Sequence, residues 1–167
     1  MKNDNIKNFS FRDLSINDVD LLFEWINDVD ARNFSFNLRS INKKDHINWF
    51  KRIINSKNVY IWIFLKNNED FGFVRFEKQK LDKFKFSYFL KKSARGFGYS
   101  SIMIEMSLEK FCSIKLNIRN KIIAKTLSTN IFSIKSLKKS GFVFLKEMNN
   151  TCVFDFECNK NIINENR

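Results

Sequence analysis

Apolar and polar residues alternate along the chain in patterns that predict one α+β domain. Strict alternation predicts strands, whereas apolar residues three or four positions apart predict helices. The predicted order is β-α-α-β-β-β-α-β-α-β-β, without repeats or an interdomain linker. The predicted strands are 8–12, 58–66, 71–78, 84–90, 121–127, 142–145 and 152–156, and the predicted helices begin near residues 15, 42, 97 and 131. This order predicts one domain over residues 1–159 and a frayed tail over 160–167.

One stretch, from residue 82 to residue 111, combines a strand, a glycine turn and a helix. Gly96 and Gly98 stand at the turn, and Ser100 follows at the mouth of the helix. Small residues there leave backbone N–H groups uncrowded at the positive end of the helix dipole, which suits a phosphate or diphosphate. A guanidinium at Arg95 can add a charged fork. The alternative is a plain strand-to-helix turn, and neither a P-loop lysine nor a third glycine of a dinucleotide fingerprint follows.

Composition narrows the class of protein further. The 167 residues carry a net charge of +12 and include 20 phenylalanines, so the chain can bury a large aromatic core. The lysines are scattered, and no zinc-finger, RNA-recognition or basic heptad pattern is present, so we expect no nucleic-acid partner. The chain has no proline and four glycines, and its turns must therefore use Asn, Asp and Ser.

Cysteine and histidine usage argues against a metal site. The three cysteines, Cys112, Cys152 and Cys158, lack metal-ligand spacing, and His46 is the single histidine. The N-terminal residues are polar, and the longest apolar run, 59–65, is too short to cross a bilayer. These features predict a cytoplasmic protein with reduced thiols, no metal and no membrane partner.

Two motifs resemble those of the GNAT N-acetyltransferase family. Arg95-x-x-Gly98-x-Ser100 resembles the family's acetyl-CoA diphosphate loop, and Asn130-x-x-Ser133 followed by Lys139-x-Gly141-Phe142 resembles its cofactor-covering helix. With the predicted element order, the resemblance spans about residues 8–157. It implies the GNAT acyl-CoA N-acyltransferase fold, a three-layer α+β arrangement with a mixed, mostly antiparallel sheet flanked by helices. It also implies acetyl-CoA as cofactor.

The resemblance assigns the cofactor-binding residues one by one. Backbone groups near Tyr88 would hold the pantetheine and offer an N–H to the oxyanion, and the glycine loop would hold the diphosphate. Asn130 and Ser133 would meet the pantetheine or adenosine. The cofactor-binding residues implied in this way are Phe89, Leu90, Arg95, Gly96, Phe97, Gly98, Tyr99, Ser100, Asn130 and Ser133.

Catalytic residues are less defined. His46 is the candidate proton acceptor or substrate contact, because its unperturbed pKa lies near neutrality; the alternative is a histidine that bonds a neighbour. Many family members carry a tyrosine that protonates the departing thiolate, where this chain has Leu137. Tyr88, Tyr99, Ser136 or solvent could replace it, and Tyr88 is the candidate catalytic residue on the central strand.

A narrower resemblance concerns the amine acceptor. Residues 25–50, with Arg32, Asn37 and His46, resemble the subgroup that acetylates the 4-amino group of UDP-linked amino-deoxy sugars in pseudaminic acid synthesis. Arg32, Asn37 and Arg75 would then contact the nucleotide sugar, since a guanidinium fork suits phosphate. The alternatives are a ribosomal-protein or peptide N-terminal acetyltransferase and a non-enzymatic basic module that binds nucleic acid. A homodimer is compatible with either enzyme.

Overall fold

The computed structural model describes residues 8–80, 82–114 and 120–158. The strands are β1 (Phe9–Asp13), β2 (Val59–Lys66), β3 (Glu69–Lys80), β4 (Lys83–Leu90), β5 (Lys121–Leu127), β6 (Val143–Met148) and β7 (Thr151–Glu157). The helices are α1 (Val19–Ile26), α2 (Val29–Asn33), α3 (Lys43–Ile54), α4 (Tyr99–Ile114) and α5 (Ile131–Lys139). The predicted order is thus confirmed, with α2 as an addition between the predicted helices that begin near residues 15 and 42. The predicted tail, 160–167, lies outside the described residues.

The described strands form one sheet in the order β1-β2-β3-β4-β5-β7-β6. All neighbouring strands are antiparallel except β4 and β5, which run parallel. A parallel pair requires a crossover, and α4 supplies it. The parallel junction therefore lies in the middle of the sheet, and it involves the strand after which the glycine loop follows.

Helices cover the sheet on both faces. α1 and α3 pack through Leu22 and Phe50 on Ile61, Ile63 and Phe73 of β2 and β3. α4 and α5 cover the opposite face, where a larger core of buried rings and aliphatic side chains includes Phe64, Phe76, Phe86, Met103, Phe111, Leu137 and Phe154. This three-layer arrangement agrees with the predicted fold class.

Pairs of asparagines make two of the hairpin turns. Asn67 and Asn68 have φ angles of +50° and +66°, and Asn149 and Asn150 have +49° and +57°. Two consecutive left-handed residues give the turn whose twist matches that of the flanking strands, and asparagine tolerates this conformation. Both turns are therefore two residues long, and β3 begins at Glu69, two residues before its predicted start at 71.

Strand β5 is buried on one face. Its continuous apolar run is typical of a covered strand, but only Ile122, Ala124 and Thr126 are buried, beneath α4 and α5. Lys121 and Ile123 face the side of the sheet that α1 and α3 cover only over β2–β4. One face of β5 is therefore left partly open.

The prediction of reduced thiols is wrong for two of the three cysteines. Cys112, near the end of α4, forms a disulfide with Cys158, just after β7, over a sequence separation of 46 residues. Cys152 is buried and free. Within the described ranges, none of the helices has the length and apolarity needed to cross a membrane.

Candidate active site

Strands β4 and β5 separate halfway along their length. Their parallel pairing runs from Lys83 opposite Lys121 to Phe86 opposite Ala124, and ends there. β4 continues to Leu90 and remains paired to β3 on its other side. From Ser87 onward, the edge of β4 that faces β5 has no strand partner among the described residues, so the sheet contains an opening whose walls carry backbone polar groups.

The glycine loop lies at the end of this opening. Gly96 and Gly98 have φ angles of +88° and +80°, a left-handed conformation that other residues rarely adopt. A Cβ built on either glycine meets nothing within 4 Å. Among the described residues, the N–H groups of Gly96, Phe97, Gly98 and Ser100 have no hydrogen-bond acceptor. The loop therefore presents open backbone donors at the N-terminus of α4, as the sequence predicts for an anion site.

The first turn of α5 closes the other side of the opening. Asn130 caps this helix, because its side-chain oxygen accepts the Ser133 N–H at 3.0 Å. The Tyr88 hydroxyl donates to Ser133 Oγ at 3.1 Å, and Ser100 Oγ lies 2.8 Å from Ser136 Oγ. These hydroxyls connect β4, α5 and the first turn of α4, so three elements meet around the separated strands.

Comparison with known proteins identifies the family. The family model for the acetyltransferase (GNAT) domain matches residues 8–143, which is most of the chain.

The chain belongs to the GNAT acetyltransferase family.

Solved structures share the GNAT fold over nearly their full length. A spermidine N-acetyltransferase from Vibrio cholerae, in complex with CoA and spermine, is 14% identical over 89% of this chain and 94% of that chain, with a TM-score of 0.76. A domain from Methanocaldococcus jannaschii is 20% identical over 89% and 97%, with a TM-score of 0.77. A putative acetyltransferase from Salmonella typhimurium with acetyl-CoA is 13% identical over 92% and 95%, with a TM-score of 0.74. No curated protein sequence matches the chain.

These findings confirm three predictions for the GNAT domain: the fold class, the N-acetyltransferase class of enzyme, and acetyl-CoA as its co-substrate. The residues present fit that co-substrate. The loop has open donors for a diphosphate, and the separated strands leave backbone groups for an extended amide-bearing arm.

Arg95 occupies a different place in the GNAT domain from the one predicted. Its Nη2 donates to Asp28 Oδ1 at 2.8 Å, its Nη1 lies 3.5 Å from Asp30 Oδ2, and its Nε donates to the Leu90 carbonyl at 2.9 Å. Two carboxylates of α2 and its N-cap therefore engage the guanidinium that the sequence assigned to phosphate. The loop that precedes α4 is thereby tied to the segment that follows α1.

His46 lies between α1 and α3, and its surroundings contradict the prediction of a general base. The side chain is 1% exposed, and Nε2 donates to the Val19 carbonyl at 2.7 Å. Nδ1 is buried without a partner among the described residues, and Phe23 and Trp49 pack on the ring. Burial lowers the pKa of His46, so the neutral ring is favoured. His46 joins two helices, and the alternative of a neighbour-bonding histidine describes it.

Of the three predicted acceptor-binding residues, Arg32 and Asn37 contact each other, whereas Arg75 lies apart on β3. Arg32 donates through Nη2 to Ser35 Oγ and to the Asn37 carbonyl at 2.7 Å, so Arg32 and Asn37 brace their own loop. Arg75 lies under the ring of Trp49 at 5.7 Å, and its nearest carboxylate oxygen, on Glu77, is 3.8 Å away. Burial lowers the pKa of Arg75, although Glu77 partly opposes this. Arg75 is therefore a half-buried cation with weak neutralisation.

The side chains of the other predicted residues limit what each can contribute. Phe89 and Leu90 are buried, and Phe89 stacks on Trp25, so only their backbones can meet a ligand. Tyr99 is buried and packs against Phe97, which is 67% exposed beside the loop.

Sequence reasoning missed Asp28 and Asp30 as partners of Arg95, and it named Ser136 only as a possible proton donor. Asp28 lies between α1 and α2, where an acidic residue is typical of a helix cap. Its position in the sequence does not indicate a partner 67 residues away. Ser136 could have been found, because it lies three positions after Ser133 on the same helical face.

Proposed function

We propose that this GNAT enzyme acetylates the amine of an anionic small molecule, a UDP-linked 4-amino-4,6-dideoxy sugar of the kind used in pseudaminic acid synthesis. The observation that carries the catalytic part of the proposal is the glycine loop with open backbone donors at the end of the β4–β5 opening. Coenzyme A has a diphosphate joined to a long arm that contains amides. The glycine loop could bind the diphosphate, and the adjacent β4–β5 opening could bind the arm.

The cofactor-binding part uses mostly backbone groups. The N–H groups of Gly96, Phe97, Gly98 and Ser100 would bind the diphosphate, and the unpaired edge of β4 beyond Ser87 would bind the pantetheine amides. Asn130 would hold the first turn of α5 in place, with Ser133 facing the opening. Arg95 would act through Asp28 and Asp30, by holding α2, on the acceptor side, against the end of β4.

Acetyl-CoA supplies an acetyl thioester as the electrophile. The protein must hold this group near the acceptor and exclude competing water, which converts a bimolecular encounter into an oriented one. The backbone N–H of Leu90, on the unpaired edge of β4, would stabilise negative charge that develops on the carbonyl oxygen. His46 is not needed in this scheme, because the amine proton can pass to solvent.

Two charge arguments support an anionic acceptor. The whole chain carries +12, which attracts anions and repels polycations. Arg75 lies on β3, the strand that pairs with β4, and its side chain is on the face of the sheet that α3 covers. Glu77 neutralises its charge only weakly. A diphosphate could complete its partners. The spermidine acetyltransferase from Vibrio cholerae acts on a polycation, so likeness in fold to that enzyme does not extend to the acceptor we propose.

The test is release of free CoA thiol from acetyl-CoA in the presence of one acceptor at a time. The panel contains a UDP-4-amino-4,6-dideoxy sugar, the same amino sugar without the nucleotide, spermidine, and a ribosomal-protein N-terminal peptide. We expect turnover with the nucleotide sugar and much less with the free sugar. Turnover confined to the peptide or to spermidine would overturn the choice of acceptor, and salt-sensitive nucleic-acid binding without a thermal shift from CoA would overturn the enzyme itself. Sedimentation of the same preparation tests the predicted homodimer.

A further inference from the structure

Both substrates of the proposed reaction carry a diphosphate, so the enzyme needs two anion sites that do not compete. The glycine loop leads into α4, which covers one face of the sheet together with α5. The opposite face, which α1 and α3 cover over β2–β4, is left partly open at β5. A second anion site on this open face would keep the diphosphate of the acceptor apart from that of the coenzyme.

Strand alternation places three cations on the open face, around the β4–β5 opening. Phe86 and Ala124, the last paired residues of β4 and β5, are buried beneath α4 and α5. Their neighbours Lys85 and Lys125 therefore project from the opposite face, and both are exposed. Arg75 projects from that face as well, since its guanidinium lies against a ring of α3. Arg75, Lys85 and Lys125 form the cation group, on the adjacent strands β3, β4 and β5.

One member of the cation group lies at the start of the opening. Phe86 is opposite Ala124, and the pairing of β4 with β5 ends there, so Ser87 and Lys125 are the first residues beyond it. On the other side of β4, Ser87 is the cross-strand partner of Arg75. A row of donors thus crosses the sheet at the opening, from a guanidinium through a hydroxyl to an ammonium group.

The charge of the cation group is incompletely compensated. Glu77 is the cross-strand partner of Lys85 and lies 3.8 Å from Arg75, so one carboxylate stands against two cations. Neither Lys85 nor Lys125 makes an ion pair within the described ranges. The Nε of Arg75 is buried without a hydrogen-bond partner among the same residues. Like charges on neighbouring strands repel each other, and a bound anion would relieve this repulsion.

Two nearby carboxylates on the same side have partners of their own. Asp155 of β7 is 2.7 Å from the ammonium group of Lys121. Asp28, at the start of α2, is 2.8 Å from the guanidinium of Arg95. A net positive charge therefore remains at the opening, where it attracts an anion.

We propose that the cation group and the Ser87 hydroxyl bind the diphosphate of the acceptor on the open face of the sheet. This inference rests on the proposed function and deepens it, because it assigns the acceptor's anion to β3, β4 and β5 and not to the loop after α2. Two ammonium groups supply point charges, and the guanidinium fork matches the oxygens of a phosphate. The amine end of the acceptor would then reach the opening from the face opposite the glycine loop.

The first test measures calorimetric binding of UDP, a nucleoside diphosphate without a primary amine. Lys85→Gln and Lys125→Gln should each raise the Kd for UDP about tenfold, because each removes a charged donor to phosphate. The Kd for CoA should change less than about threefold in both variants.

The matched control is Lys146→Gln at the same salt concentration. Lys146 is exposed on β6 and pairs with Val153, which pairs with Lys125, so it lies on the same face two strands from β5. Its loss should change the Kd for UDP less than about twofold, since it removes the same charge outside the site. An equal effect of all three substitutions would indicate a general attraction by the basic chain and would overturn the proposal.

The second test asks whether two anions bind at once. UDP titrated into protein saturated with CoA should give a Kd within about threefold of that for the free protein, because the two sites lie on opposite faces. Competition between UDP and CoA would place UDP in the glycine loop and would overturn the proposal.

Turnover separates this inference from the proposed function. In Lys85→Gln and Lys125→Gln, the KM for the nucleotide sugar should rise with the Kd for UDP, while kcat stays within about threefold. If both variants weaken UDP binding but no nucleotide sugar is acetylated, the cation group stands as an anion site and the choice of acceptor fails. If the nucleotide sugar is acetylated and neither variant changes its KM or the Kd for UDP, the proposed function stands and this inference is overturned. Absence of UDP binding, with and without CoA, also overturns it.

Discussion

Replacing Arg95 with glutamine should impair use of the amine more than use of acetyl-CoA. In the structure the guanidinium contacts Asp28 at 2.8 Å and Asp30 at 3.5 Å, and its Nε donates to the Leu90 carbonyl. Asp28 in turn caps α2 by accepting the Ala31 N–H at 2.8 Å. The loop after α2 is also joined to the end of α1, because Asn27 exchanges two hydrogen bonds with the Ile41 backbone, and we expect its order to govern entry of the acceptor.

The size of the effect follows from the burial of these groups. Burial raises the pKa of Asp28, but hydrogen bonds from Arg95 and the Ala31 N–H outweigh it, so the pKa lies below its usual value. The side chains of Arg95 and Asp28 are 32% and 23% exposed, which places the pair between a surface pair and a buried one. Loss of the charged contacts should cost about 1–2 kcal/mol of loop order. This corresponds to a rise of about 5–30-fold in the KM for the amine.

Initial rates of thiol release, with each substrate varied in turn, measure this effect. The KM for acetyl-CoA should change less than about threefold, because that ligand meets backbone groups of the loop. The control is Lys92→Gln, which removes another cation near Asp30 at 3.1 Å but from a side chain that is 77% exposed, and so should change little. A tenfold rise in the KM for acetyl-CoA alone would refute the reasoning and restore the predicted contact of Arg95 with the diphosphate.

Three further predictions concern the loop, His46 and the disulfide. Gly98→Val forces a branched side chain to φ +80° and should raise the calorimetric Kd for CoA at least about tenfold, through strain of about 1–2 kcal/mol and the blocked loop; an unchanged Kd would count against the loop as the diphosphate site. His46→Ala should lower Tm yet leave kcat intact. In wild type the folded state lowers the pKa of His46, so the protein should lose free energy of unfolding as the pH falls below about 6.5, the pKa of the unfolded state. Denaturant titrations over a pH series should show this loss in wild type and not in the variant. Cys112→Ser should destabilise the oxidised protein by about 4 kcal/mol on chain-entropy grounds and match reduced wild type; equal stability of oxidised wild type and variant would contradict the disulfide.

Local patterns predicted the elements of the fold because each element carries its own signal. The left-handed Asn67 and Asn149 stand in turns that the composition assigns to asparagine, and the caps at Asn42 and Asn130 precede their helices as expected. The loop Gly96–Ser100 was found for the same reason, since its function uses backbone conformation that glycine itself indicates.

Long-range pairing was what the sequence could not reveal. The hydrogen-bond partner of His46 is the Val19 carbonyl. The burial of His46 between α1 and α3 depends on how both helices pack on β2 and β3. The partners of Arg95 lie 65 and 67 residues earlier, and those of Cys112 lie 46 residues later. A side chain's type indicated its chemistry in each case, but the tertiary contact decided whether that chemistry was available to a ligand.

The central claim is that backbone amides of the glycine loop bind the diphosphate of acetyl-CoA. A crystal structure of the protein with CoA tests it most directly. The account predicts diphosphate oxygens within hydrogen-bonding distance of the N–H groups of Gly96, Gly98 and Ser100, and the pantetheine between β4 and β5 beyond Phe86. A diphosphate bound elsewhere, or β4 and β5 closed against each other with the loop amides paired to protein, would contradict it.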